Sequence, residues 1–236
     1  MHELRGTCIY CIWQSHKGLP QMEEWGMFMR YVTYYEECNT LTADRYQQAK
    51  QMILAEEPKK KLEKYTLRKL QFIGNSSQKA IPNYYLCLRD KDENQIYLEK
   101  KYIQGGIYYK RCLKLSKEEC SRILMGDLEW MKNHKKALLA EFYLQVTLNH
   151  LSPGYMTEYE REMVHCKKEG YVTFFKSIKR AVGTTNHLFE DPEFFISCLD
   201  HGKVLVTYKK AAKLPDVISS MIQVPEEPAE DYLFAY

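Results

Sequence analysis

Between residues 65 and 115 the chain reads as four strands in succession. Residues 65–73 are rich in aromatic, branched and long side chains, and Gly74, Asn75 and Ser76 close them. Residues 84–89 follow, and the charged stretch 90–94 links them to 95–103 in hairpin fashion. Gly105 and Gly106 make a tight turn into 107–115. Hairpin links of this kind impose antiparallel neighbours. Earlier, 26–38 reads as a strand, and Thr40 or Thr42 caps a helix over 43–55 that Glu57-Pro58 ends. Later, Ser116 with Glu119 three residues on forms a capping box for a helix, and a second helix covers 136–149 until Ser152-Pro153-Gly154 stops it. Strands return at 156–165, 171–176 and 203–210, and Pro215 opens a last helix through 222. About seven strands and a few helices predict an α+β domain. Strands this numerous protect their edges best by curling, so the expected core is an antiparallel β-barrel with flanking helices.

Length and composition bound the rest. A chain of 236 residues with 45% hydrophobic and 13% aromatic residues can bury a full core without a metal or disulfide staple. Residues 1–26, punctuated by Gly6, Gly18, Pro20 and Gly26, read as an N-terminal extension, and 27–236 as the domain. The eight cysteines include one CxxC, Cys8 and Cys11, with no second pair, which does not make a zinc ribbon. They read as reduced thiols of a cytoplasmic protein. No run reaches the length of a membrane span, and a net charge of +3 is too mild to argue for nucleic acid.

Charge inside the strands carries more information, because strand side chains alternate between faces. Tyr97, Glu99 and Lys101 share one face of 95–103; Tyr108 and Lys110 share one face of 107–115. Tyr159 and Arg161 point together, as do Leu205, Thr207 and Lys209, and Arg68 sits mid-strand in 65–73. Taken strand by strand, such charges belong on a solvated face. Taken together on a curled sheet, they line a tunnel, where facing cations repel unless an anion sits between them. An oligophosphate is such an anion, and Lys and Arg are its natural ligands.

The stretch Tyr97-Leu98-Glu99-Lys100-Lys101, the Gly105-Gly106 turn and Tyr109-Lys110-Arg111 resemble the hairpin of the VTC (vacuolar transporter chaperone) polyphosphate-polymerase family. Gly126-Asp127-Leu128-Glu129-Trp130, Glu141-Phe142-Tyr143-Leu144, Pro153 with Tyr159-Glu160-Arg161-Glu162, and Leu214-Pro215-Asp216-Val217-Ile218 are similar to that family in order and spacing over residues 65–222. The resemblance implies a triphosphate-tunnel (CYTH-like) barrel lined by Lys and Arg. It implies an enzyme that moves the γ-phosphate of ATP onto a polyphosphate chain with Mn or Mg held by glutamate. It places Arg68, Lys101, Lys110, Arg161 and Lys209 on phosphate, and Glu99 on the metal.

The same resemblance exposes departures. Family cations and acids fall on Val32, Tyr34, Tyr85, Cys87, Tyr171 and Phe175. The metal glutamate falls on Thr207, and a C-terminal lysine falls in Glu230-Asp231-Tyr232. Hard divalent cations want carboxylates; only Glu99, Asp200 or Glu162 could substitute. The expectation is a degenerate domain that binds polyphosphate, nucleotide or another polyanion, or a protein partner, with little or no catalysis. The alternative is an active ATP-dependent polyphosphate polymerase.

Overall fold

The computed structural model describes residues 32–34, 36–56, 62–74, 82–104, 107–166, 170–209 and 219–220. Their elements, in chain order, are β1 (Val32–Tyr34), β2 (Glu36–Thr42), α1 (Ala43–Glu56), β3 (Leu62–Ile73), β4 (Asn83–Arg89), β5 (Ile96–Gln104), β6 (Ile107–Leu115), α2 (Lys117–Leu124), a single 3-10 turn (Glu129–Met131), α3 (Ala137–Asn149), β7 (Ser152–Cys166), β8 (Gly170–Ala181), β9 (Phe195–Ser197) and β10 (Lys203–Lys209). All the strands join one sheet in the order β1-β6-β5-β4-β3-β7-β8-β10-β2, with β9 added beside β8. Every neighbouring pair is antiparallel.

The α+β class and the antiparallel sheet are therefore as the sequence implies. The barrel is not closed by hydrogen bonds among the described residues. The two end strands, β1 and β2, are instead consecutive in the chain, separated by residue 35 alone. One stretch of backbone thus pairs with β6 by its first part and with β10 by its second. The sheet curls far enough to bring its two ends to one strand.

Two apolar layers cover the outer face. Against β3–β6 lie α2 and α3, with Leu70, Phe72, Tyr84, Leu86, Leu98, Leu138, Leu139 and Phe142 buried between them. Phe72 and Phe142 meet edge to face at 4.9 Å between centroids. Against β7, β8, β10 and β2 lies α1, with Leu41, Tyr46, Ile53, Val164, Val172, Phe174, Val204 and Val206. Each fully buried Leu, Val or Phe contributes about 1.5–3 kcal/mol, which is what holds helices of indifferent propensity on the sheet. A third cluster, Leu67, Tyr85, Cys87, Tyr159, Phe175, Ile178 and Leu205, fills part of the inner, concave side.

The capping box forms as expected: Ser116 Oγ accepts from Glu119 N at 3.0 Å, and the Glu119 carboxylate accepts from Ser116 N at 2.8 Å. Other details differ. Residues 152–154 do not stop a helix; α3 ends at Asn149 with His150 in the left-handed region, and Ser152, Pro153 and Gly154 open β7. Gly154 belongs there because a Cβ would come within 2.7 Å of the Ile73 side chain on β3. β8 runs to Ala181 because a bulge opposite Glu158–Glu160 carries it past Ser177, which takes φ 52. The bulge shifts the alternation, so Phe175 and Ile178 both join the inner cluster. The helix expected over 215–222 and the extension 1–26 lie outside the described residues, apart from helical Ser219 and Ser220.

Candidate functional site

The inner face of the β5–β6 hairpin holds the main charge cluster. Alternation puts Glu99 and Lys101 on one face of β5, and register sets Glu99 opposite Cys112 and Lys101 opposite Lys110 on β6. Two like charges directly across a ladder destabilise it unless an anion lies between them. Here Glu99 supplies that anion. Its carboxylate lies 2.5 Å from Lys110 Nζ and 3.8 Å from Lys101 Nζ. From β3, Lys69 Nζ donates to it at 2.8 Å. Lys69 Nζ also stands 4.0 Å from the centroid of the Tyr85 ring. Glu99 and Lys69 are 3% and 1% exposed, so this is a buried ion cluster, not a surface one.

Burial opposes the charge on Glu99, but Lys110, Lys69 and Lys101 hold its carboxyl well below the usual range. Burial likewise opposes the charge on Lys69, and Glu99 holds it protonated, above the ordinary lysine value. Both are charged at neutral pH. Three ammonium groups face this one carboxylate on a concave face. Two thiols complete the surroundings: Cys87 Sγ and Cys112 Sγ approach the same Glu99 oxygen at 4.0 and 3.8 Å. Burial pushes both thiols up, so they stay neutral.

The opposite wall comes from β7, β8, β10 and β2. Arg161 donates to the Tyr65 hydroxyl at 2.5 Å and to Met163 Sδ at 3.7 Å. Its guanidinium carbon lies 5.8 Å from the Phe175 ring centroid. Tyr159 projects from β7 into the inner cluster with Phe175 and Tyr85. Burial raises its hydroxyl pKa, and Lys69, Glu99, Arg161 and Lys110 all act on it electrostatically. These four residues therefore converge on one interior. Thr173 and Thr207 are paired across β8 and β10 on the same face as Phe175 and Leu205, and Thr40 lies opposite Leu205 on β2.

Of the residues singled out from sequence, Glu99, Lys101, Lys110 and Arg161 share this inner side. Arg68 does not. It faces the outer side, where Nε donates to Glu158 at 2.8 Å and NH1 donates to the carbonyls of Leu188 and Glu190 at 3.1 and 2.8 Å. It also pairs with Asp191. It pins the 183–194 loop to β3. Its neighbour Lys69 takes the inner place, because successive strand residues face opposite ways. Two adjacent cations gave the sequence no means of choosing between them. Lys209 lies on the Thr207 side of β10 by alternation, opposite Glu36 in register, and its side chain is outside the described residues.

The departures fall where alternation puts them. Tyr85, Cys87, Phe175 and Thr207 all face inward, while the side chains of Val32, Tyr34 and Tyr171, and residues 230–232, lie outside the described residues. The donors do not suit a divalent metal. Glu99 is ringed by three ammonium groups, and Thr207 offers a hydroxyl. Glu162 faces outward, holding Tyr46, Lys50 and Lys176 at 2.6, 2.6 and 2.8 Å, and so fastens α1 to the sheet. Asp200 is bonded to Lys203 in an exposed turn. Among the described residues no three His, Cys, Asp or Glu side chains converge as a metal would require.

Residues 81–174 match the VTC domain family. No curated protein sequence matches the chain. Among solved structures, a candidate adenylate cyclase from Bacillus halodurans is similar over 86% of this chain and 98% of its own, at 12% identity and a TM-score of 0.51. A candidate adenylyl cyclase from Hippeastrum with a dominant triphosphatase activity is similar over 87% of this chain and 87% of its own, at 6% identity and a TM-score of 0.43. At such identities the likeness concerns the fold alone.

Proposed function

We propose that this chain, which carries a divergent VTC domain over residues 81–174, binds polyphosphate or another polyphosphorylated anion on its lysine-lined inner face with little or no catalysis. The observation that carries the reading is the meeting of Lys69, Lys101 and Lys110, from three strands, on the single buried carboxylate of Glu99. A cluster of three ammonium groups on a concave wall attracts a multivalent anion, and the enclosing protein strengthens the attraction over that in water. Arg161 on the facing wall adds a planar donor suited to phosphoryl oxygens. The donor set supports the non-catalytic half of the reading. Phosphoryl transfer depends on positioning and on neutralising developing charge, commonly by a metal. Among the described residues the inner face offers lysines, tyrosines, thiols and hydroxyls, and its carboxylate, Glu99, is held by three ammonium groups.

Calorimetric titration with tripolyphosphate tests the binding. The expected result is saturable, salt-sensitive binding that weakens about tenfold in Lys101→Ala and in Lys110→Ala, the usual loss for one charge-assisted hydrogen bond. Binding that is absent, or indifferent to both substitutions, overturns the reading. Incubation with ATP, Mn²⁺ and a short polyphosphate primer tests the second half. Steady chain growth abolished by Lys101→Ala would establish an active polymerase instead.

A further inference from the structure

We propose that Tyr155, Arg180 and Ile196 form a stacking subsite for the base of a nucleoside phosphate whose phosphoryl groups are held by the lysine cluster. The proposal rests on the anion-binding reading above and names, within it, the class of ligand. It starts from apolar surface left open to water. Single exposed apolar side chains are ordinary, but a contiguous group of them marks a binding surface. Tyr155, Val182, Phe194 and Ile196 are 41%, 58%, 64% and 54% exposed, and all four lie where β7, β8 and β9 run side by side.

Register joins this patch to the ion cluster. Arg180 is directly opposite Ile196 on β9 and Thr157 on β7, and Thr157 is directly opposite Lys69 on β3. Just beyond that row, Val182 N donates to the Phe194 carbonyl at 3.2 Å. The intervening residues fix the direction. Met156 and Ala181 are buried in the outer layer and Phe195 packs against it, so Tyr155, Thr157, Arg180 and Ile196 face the concave side. One row of side chains thus runs Lys69, Thr157, Arg180, Ile196 across four adjacent strands. At its inner end Lys69 donates to Glu99; Thr157 is half-buried; Arg180 and Ile196 are open to solvent. Arg180 and Lys69 are two strand spacings apart, about 10 Å, a span that an extended nucleoside triphosphate exceeds.

The side chains select a planar, aromatic group. The Arg180 guanidinium lies 5.4 Å from the Tyr155 ring centroid, and both remain exposed. A guanidinium and a tyrosine ring each present a flat face on which a base stacks, and Ile196 beside them adds apolar cover. A purely aliphatic ligand would cover the apolar side chains but strip water from the guanidinium and give it nothing in return. The positive charge of Arg180 also suits a ligand that is anionic at its other end. With the base on Tyr155 and Arg180, the rest of the ligand follows the row past Thr157, and its phosphoryl groups reach Lys101 and Lys110.

Calorimetry of the full-length protein with ATP and with tripolyphosphate, both in EDTA, tests the subsite. Tyr155→Ala is expected to weaken ATP binding about tenfold, the loss of one base-stacking surface. Ile196→Ser should weaken it about fivefold, by removing apolar cover. Both should bind tripolyphosphate as the wild type does. Tyr155→Phe keeps the ring and should keep the ATP affinity. Both positions are solvent-exposed, so neither change empties the core. If Tyr155→Ala and Ile196→Ser bind ATP unchanged while the wild type binds tripolyphosphate, the stacking subsite is refuted and the lysine site stands. If the two variants weaken both ligands alike, the patch does not read the base and the subsite is likewise refuted. If the wild type binds neither ligand, both readings fall. If sedimentation shows a dimer that Ile196→Ser dissociates, the patch is an interface between copies of the chain and the subsite is refuted.

Discussion

Replacing Glu99 by Gln separates the two roles its carboxylate holds. In the free protein Glu99 neutralises Lys69, which is 1% exposed. Removing one member of a buried ion pair leaves an uncompensated charge and typically costs about 3–5 kcal/mol. For a domain of this size each kcal/mol corresponds to about 2–4 °C, so the melting temperature in phosphate-free buffer should fall by about 6–20 °C. The same substitution makes the cluster more positive by one charge, because the carboxylate that Lys69, Lys101 and Lys110 share is removed. Tripolyphosphate should therefore bind Glu99→Gln at least tenfold more tightly, which adds about 1.4 kcal/mol of ligand stabilisation under saturating conditions. Thermal melts with and without tripolyphosphate read both effects. The variant should start lower, and its ligand-induced rise should exceed that of the wild type by about 3–6 °C. The double variant Glu99→Gln with Lys69→Met should recover much of the lost stability, since the orphaned charge is gone. A Glu99→Gln protein that melts with the wild type in phosphate-free buffer refutes the buried cluster. One that starts lower but gains no more from tripolyphosphate refutes the claim that Glu99 occupies the anion site.

Arg68→Met should lower stability by about 3–5 kcal/mol, because Glu158 and two loop carbonyls lose their buried donor; denaturant melts measure it, and tripolyphosphate affinity should not change, since Arg68 faces outward. The acid limb of stability should depend on Glu162. Burial opposes its charge, but hydrogen bonds from Lys176, Lys50 and Tyr46 bring its carboxyl down to about 2. A lowered folded pKa contributes stability that is complete above the unfolded value of about 4.3 and is lost as pH falls toward 2. The contribution is at most about 3 kcal/mol, and Glu162→Gln should flatten that limb in pH-dependent melts. Cys87, 1% exposed with its thiol pushed up by burial, should resist iodoacetamide at pH 8 in the native protein and react once unfolded, as peptide mass spectrometry would show.

Much of this architecture was legible in the chain. The β5–β6 hairpin, the capping box at Ser116 and the shared face of Glu99, Lys101 and Lys110 all follow from local rules: turn chemistry, side-chain capping and two-residue alternation. These rules act between residues a few positions apart, so the sequence carries them in full. Alternation also decided that Tyr85, Cys87 and Thr207 face the same interior as the lysines.

What the tertiary structure alone decided depends on partners far away in the chain. Arg68 and Lys69 differ by one position, and only Glu158, Leu188 and Glu190 on one side and Glu99 on the other assign them to opposite faces. The bulge at Ser177 breaks the alternation of β8 without a sequence signal, because the extra residues are fitted against β7. Thr173 and Thr207 look like ordinary strand residues until register sets them side by side on the inner face. Local geometry sets which way a side chain points relative to its neighbours. Which of the two faces becomes the interior is settled by what the whole sheet folds around, and that is a property of the closed set of contacts rather than of any segment.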